Sequence, residues 1–321
     1  MWTATNFRIS GHGIPTYQLN EAASPEFGGL SSWEIEYDQG HHRRADGSRH
    51  DISFIHRHPH FEIFWIRQGQ GTLSLDFERL DVRSPSLLIV GPGEVHSWEE
   101  TCAIEGSAIS LSQAFTSREN FYLPFSQLVS FLRPRRDRLV ELGAADQDLI
   151  ASIFSVIRDP AAQSAFDRRE VVKALLLILF SAVPGGADCG APGDPRGWHS
   201  AATREFMNAL RLECPPLTTV KELASFMRVS RSFLHRSVLR DTGRSPGSHI
   251  RDRLVLEAKR LLAHTDDSAS QIGLRLGFRS SAYFSSFFRR HAHALPRDFR
   301  AAARGAGATK GVRGSSSERA G

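Results

Sequence analysis

The chain has 321 residues, enough for two domains with separate cores, and its overall charge of +5 hides an uneven distribution. Residues 200–321 carry 22 Lys+Arg against 10 Asp+Glu, a net of +12, whereas residues 1–199 carry 18 against 25, a net of −7. Only the last third is basic enough to attract phosphate. The three cysteines, Cys102, Cys189 and Cys214, lack CxxC spacing, which argues against a disulfide framework or zinc finger. The N-terminus lacks the apolar core of a signal peptide, and the most apolar stretch, Val171–Val183, carries Lys173 and is too short to span a bilayer. A cytoplasmic protein with no membrane partner is expected.

In chain order, four short strands come first: Asp51–His56, Phe61–Ile66, Thr72–Phe77 and Ser86–Val90, each bounded by Gly, Pro or polar clusters. Leu73, Leu75 and Phe77 alternate with Thr72, Ser74 and Asp76, the pattern of a half-buried strand. Strands at this spacing suggest a sandwich or small barrel. Six of the fourteen histidines lie between His41 and His60. The spacing His56-x-His58-x3-Glu62-x6-Gly69, followed by Pro92-Gly93-x2-His96, resembles the two motifs of cupin barrels. On one extended strand His56, His58 and Glu62 share a side, with His96 supplied by a partner strand, although Pro59 disturbs regular pairing. Three histidines and a carboxylate suit iron, manganese or zinc. The other reading has the same residues lining or bracing an organic-ligand pocket, with Trp65, Trp98, Phe54, Phe64 and Phe77 as its apolar wall or simply as core. The candidate ligand-binding set is therefore His56, His58, Glu62, Trp65, His96 and Trp98. No metal, cofactor or catalytic residue is expected.

From Asp146 the period becomes helical. Leu149, Ile150, Ile153, Phe154 and Ile157 form one apolar stripe, and Val171, Leu175, Leu176, Leu179 and Phe180 another. These helices pack on their own sheet, form a dimer interface, or both; dimerisation is favoured. Residues 184–197, rich in Gly, Pro and Asp, read as a linker and coincide with the change of charge.

Beyond it, the same helical unit occurs twice. In the first copy Leu223, Ala224 and Met227 form the inner face of a supporting helix, and Ser230 caps a second helix that sends Leu234 and Val238 inward. Ser232, His235, Arg236 and Leu239 then face outward, where a recognition helix offers polar and cationic groups to base edges; Arg231 and Arg240 flank them and suit phosphates. In the second copy Ile272, Gly273 and Leu276 face inward, Gly277 sits at the turn, and Phe284, Phe287 and Phe288 pack inside. Ser281, Ala282, Ser285, Ser286 and Arg289 face out. Ile250, Leu254, Ala258, Leu261 and Leu262 mark a connecting helix that would hold the two readers for successive major grooves, about 10 base pairs apart. Residues 304–321, Gly-, Ser- and Arg-rich, are expected to be disordered.

Residues 204–300 resemble the DNA-binding domain of the AraC/XylS family of bacterial transcription regulators. The carrying residues are Glu222-Leu-Ala, Ser230-Arg-Ser-Phe-Leu-His-Arg, Gly243-Arg-Ser-Pro, Ala258-Lys-Arg-Leu-Leu, Ile272, Gly277-Phe, Tyr283-Phe-Ser, Phe287-Phe-Arg-Arg, Pro296 and Phe299-Arg. His293, Leu254 and Gly273 depart from the family pattern, which has glycine, arginine and alanine there. The resemblance implies an α+β multidomain protein. Residues 1–183 would be a cupin-like β-barrel sensor with dimerisation helices, 184–199 a linker, and 200–303 an all-α domain with helix-turn-helix motifs at about 220–241 and 269–291. It also implies a sequence-specific regulator, more often an activator, with promoter DNA, a small organic effector (an aromatic acid among the candidates), RNA polymerase and a second copy of the chain as partners. The alternatives are a metal-dependent cupin enzyme fused to a DNA-targeting module and a constitutive architectural DNA binder.

Overall fold

The computed structural model describes residues 7–8, 13–17, 30–38, 41–43, 49–51, 53–112, 138–159, 168–182, 200–212 and 219–308. The expected linker (184–199) and the part of the expected tail beyond residue 308 lie outside them. The chain forms two compact units: Met1–Ile9 with Pro15–Leu212, and Ser10–Ile14 with Glu213–Gly321. The division falls at Leu212, so the helix Ala201–Leu212 belongs with the first unit rather than with the second.

The first unit is built on β1 (Phe7–Arg8), β2 (Thr16–Tyr17), β3 (Leu30–Asp38), β4 (His41–Arg43), β5 (Arg49–Asp51), β6 (Phe61–Leu75), β7 (Glu78–Arg83), β8 (Ser86–Val90), β9 (His96–Leu111) and β10 (Leu139–Glu141). Eight of these make an antiparallel sheet in the order β10-β8-β6-β9-β3-β4-β5, with β7 paired to β6 as a hairpin. Two of the expected strands are in fact one. β6 runs unbroken through Gly69-x-Gly71, bending at register shifts against β9. Those glycines are sites of close approach, not breaks: a Cβ on Gly69 would lie 2.2 Å from the Ala103 carbonyl oxygen, and one on Gly71 2.6 Å from that of Glu100.

Strand alternation then gives the sheet two apolar faces. Phe61, Ile63 and Trp65 of β6, Leu87 and Ile89 of β8, and Ile109 and Leu111 of β9 form one cluster with helices α1 (Ala144–Arg158) and α2 (Arg168–Ala182). Phe64 and Ile66, Leu88 and Val90, and Ile104 and Ala108 point the other way, into an interior shared with Ile35, Tyr37, Leu73 and Trp98. Burial on both faces is why Leu87–Val90 reads as an uninterrupted apolar run. The helical stripes are slightly rotated from expectation. Ile150, Ile153, Phe154 and Ile157 are buried but Leu149 is exposed, and in α2 the inward residues are Val172, Leu176 and Leu179. Helix α3 (Ala201–Leu212) completes this unit.

The second unit is helical: α4 (Val220–Phe226), α5 (Arg231–Thr242), α6 (Pro246–His264), α7 (Ala269–Arg275), α8 (Ser281–Ala292) and α9 (Pro296–Ala308). The start signals are satisfied by side chains. Thr219 with Glu222 and Ser268 with Gln271 form capping boxes on α4 and α7, and Ser230 and Ser280 accept from the N–H groups of Phe233 and Tyr283 on α5 and α8. Helices α5 and α8 both end on a left-handed residue, Gly243 (φ 69°) and His293 (φ 57°). Leu223, Leu234, Val238, Ile250, Ala258, Leu261, Ile272, Phe284 and Phe288 are buried, each large one contributing about 1.5–3 kcal/mol. Residues 304–308 are helical rather than part of a tail, because Arg304 donates to the Thr265 carbonyl at 2.7 Å and to Asp266 at 2.8 Å.

Candidate functional site

Both copies of the helical unit fold as a supporting helix, a turn and a second helix. Ser230 and Ser280 stand at matching places, as do Thr219 and Ser268, so the second turn is one residue longer than the first. Each turn contains one left-handed residue, Arg228 (φ 54°) in the first and Gly277 (φ 87°) in the second. Each is closed by the same backbone bond, Val229 N–H to the Ala224 carbonyl and Phe278 N–H to the Gly273 carbonyl, at 3.0 and 2.8 Å.

On α5 the buried residues are Leu234, Ser237 and Val238, which leaves Arg231, Ser232, His235, Arg236, Leu239 and Arg240 exposed. On α8 Phe284 and Phe288 are buried, Ser281, Ala282, Ser286 and Arg289 are exposed and Ser285 is half-buried. Arg240 is engaged with Asp241 at 2.9 Å, while Arg231, Arg236 and Arg289 make no ion pair among the described residues. Charge held open on an outward face is what a polyanion needs. Two exposed aromatics escaped the sequence reading. Phe233 and Tyr283 sit at matching positions beside Leu234 and Phe284, and they add apolar contact surface to each reader's first turn. The sequence signal for them is the shared offset, each standing one residue before the buried Leu234 or Phe284.

In the first unit the histidine motif is assembled differently from the expected single strand. β6 begins only at Phe61; His56 pairs across an isolated bridge with His96, and His58 lies in the segment between. The bridge is reciprocal, with His56 N–H to the His96 carbonyl at 3.0 Å and the reverse at 2.8 Å. The turn after β8 holds His58 through Gly93 N–H, 2.7 Å from its carbonyl. His58, Glu62 and His96 thereby converge, all buried, with one ligand atom of each within 4.8 Å of the others. His58 Nε2 is 3.0 Å from Glu62 Oε2, and His60 Nε2 and Ser110 Oγ each lie 3.4 Å from Glu62 Oε1.

Burial opposes charge on His58, but Glu62 beside it outweighs burial and raises its pKa. Burial likewise opposes the Glu62 carboxylate, yet His58 and the hydrogen bonds from His58 and His60 hold it well below the usual range. Burial, followed by the charges of His56 and His58, keeps His96 well below an ordinary histidine, and burial with His58 brings His60 down to about 4. His60, absent from the sequence-derived set, is thus a full member of the cluster.

Trp65 and Trp98 do not share a wall. Trp65 lies on the opposite face of β6 from Glu62 and packs on Phe154 of α1, whereas Trp98 sits in the interior against Phe64 and Tyr37. Odd and even residues of a strand point apart, which removes Trp65 from the ligand-binding candidates. Phe77 is 44% exposed at the β6–β7 turn, and Phe54 lies beside the histidines, 4.9 Å from His56 between ring centroids.

Comparison with known proteins fits this arrangement. Residues 223–302 match the family model of a helix-turn-helix domain, and residues 40–111 match an AraC-like ligand-binding domain. The transcriptional activator RhaS of Salmonella arizonae is 36% identical over 250 residues, 76% of this chain and 86% of that protein. RhaS of Klebsiella pneumoniae is 36% identical over 80 residues, 25% of this chain and 29% of its own length. Among solved structures, ToxT from Vibrio cholerae aligns over 85% of this chain and 98% of its own, at 16% identity and a TM-score of 0.38. No helix among the described residues is long and apolar enough to cross a membrane. An AraC-like sensor sheet in the acidic part and paired helix-turn-helix units in the basic part, together with that identity across both, show that the chain belongs to the AraC family of transcription regulators and is not an enzyme.

Proposed function

We propose that the protein is a ligand-responsive activator of transcription that acts as a homodimer in the cytoplasm. The observation that carries the reading is the pair of unequal helix-turn-helix units whose outward faces hold Arg231, Arg236 and Arg289 free of ion pairs among the described residues. His235 and Arg236 in one reader and Ser286 and Arg289 in the other offer different donor sets, so one subunit reads two different half-elements, about 10 base pairs apart. Activation, and with it contact with RNA polymerase, is supported by the likeness to RhaS, itself named a transcriptional activator. An effector acts by binding one arrangement of the regulator better than the other, which shifts the population between them.

Selection of bound sequences from a random duplex pool by the purified full chain, with and without candidate aromatic acids, tests this. A two-part consensus is expected. Arg236→Ala should weaken specific binding by about 1–3 kcal/mol and relax preference at one base position. An unchanged preference profile would remove α5 as a reader.

A further inference from the structure

The sensor unit contains a group of side chains that DNA reading leaves unused. Ile35, Tyr37, Phe64, Leu73, Trp98 and Ile104 form its apolar interior, and a group of buried side chains with metal-ligating atoms lies around Glu62. His58, Glu62 and His96 are 1%, 5% and 3% exposed, and their ligand atoms lie within 4.8 Å of one another. Donors bound to one ion at about 2.0–2.2 Å are themselves roughly 3–4.4 Å apart, so small rotations of these side chains complete a coordination sphere.

The ring orientations point the same way. Nδ1 of His56, His58 and His96 lies 3.1, 2.8 and 3.1 Å from the carbonyl oxygens of Phe54, His60 and Glu94. A carbonyl only accepts, so each Nδ1 carries a proton, and Nε2 of His58 and His96 is the atom that would ligate a cation, in exchange for any proton there. Histidines that hold metals are oriented by this kind of outer hydrogen bond. His58 Nε2 is fully buried and lies 3.0 Å from Glu62 Oε2, so one nitrogen and one carboxylate oxygen already face each other inside the cluster. A cation bound to both would take the place of the proton that now joins them. His56, its ring 4.2 Å from that of His96, stands beside the three. Imidazole nitrogens with one carboxylate suit zinc, iron(II), cobalt or manganese better than calcium or magnesium.

We infer that His58, Glu62 and His96 form a binding site for a divalent transition-metal ion inside the sensor unit. Calling that ion a ligand of the regulator rests on the function proposed above, which the DNA selection tests separately.

The full-length chain, stripped with a chelator and dialysed, is titrated with Co2+ by absorption and with Zn2+ by elemental analysis. One equivalent per chain is expected, with the cobalt d–d bands of nitrogen and oxygen ligation. Glu62→Gln and His96→Gln should each weaken binding at least tenfold while retaining the wild-type circular dichroism, and His291→Gln, outside the cluster, should keep one equivalent. Wild type that takes up neither ion at tenfold molar excess overturns the inference, as does a folded His96→Gln that binds Co2+ as tightly as wild type. Should both cluster variants unfold, the wild-type cobalt spectrum decides, and absence of ligand-field bands counts against the site. A DNA consensus obtained alongside a negative titration would leave the regulator standing without the metal.

Discussion

Gly273 and Phe284 explain each other. A Cβ on Gly273 would lie 2.9 Å from the Phe284 Cβ and 3.1 Å from its Cγ, closer than packed carbons tolerate. The first repeat solves the same helix crossing with Ala224 against the smaller Leu234. Gly273→Ala alone should therefore destabilise the chain by about 1–3 kcal/mol through overpacking, and adding Phe284→Leu should recover most of that loss by recreating the first repeat's pair. Chemical denaturation of the two singles and the double checks this, and a simple sum of the single effects would refute the coupling. His293 ends α8 at φ 57°, where Gly243 ends α5. A side chain there works against its own backbone, so His293→Gly should raise stability by about 0.5–1 kcal/mol, seen as a higher melting temperature. Both residues were visible in the sequence as departures from the family pattern. The meaning of Gly273 was not, because its compensation, Phe284, lies across the helix crossing and not in the neighbouring sequence.

At the scale of elements, the caps and apolar stripes of α4–α8 were legible because each is a local signal with a local cause. The errors came where a local signal served a distant need. Gly69 and Gly71 looked like a strand break, yet they let β9 come close enough to pair with one bent strand. The Gly- and Arg-rich run after residue 303 looked like a tail, but the alanines at 301–303 extend α9 far enough for its arginines to bond elsewhere. Arg300 donates to the Leu262 carbonyl at 3.1 Å and also to that of Asp267, while Arg304 reaches Thr265 and Asp266. Together they occupy backbone acceptors at the end of α6. Arg304→Ala should therefore cost about 0.5–1.5 kcal/mol in thermal or denaturant unfolding, toward the lower end because its side chain is 45% exposed. Truncation after Ala308 should cost nothing measurable by the same assay. Equal losses from both changes would show that the bonds to Thr265 and Asp266 contribute little.

For the whole molecule, the change of charge and composition lies at residues 184–199, and the division between the two compact units falls at Leu212. The cluster around Glu62 was legible as a motif but not as a geometry: spacing suggested one strand, and the His56–His96 bridge makes the convergence instead. Helices α1 and α2 bury one side on the sheet and leave Leu149 and Ile178 exposed at 41% and 44%. If those outer faces join two copies, Leu149→Glu with Ile178→Glu should give monomers in sedimentation at concentrations where the wild type is dimeric. A variant that remains dimeric would move the interface elsewhere.

Glu62 and Ile63 are joined by one peptide unit, and they look into different rooms. Glu62 faces the buried histidines; Ile63 and Trp65 seat the two helices. Along this stretch β6 is a partition a single residue thick, hydrogen-bonded to β8 on one edge and β9 on the other. A wall held on both edges cannot bow toward one room without withdrawing from the other. The residues that surround Glu62 and those that seat the helices are thus separated by the thickness of one strand and nothing more.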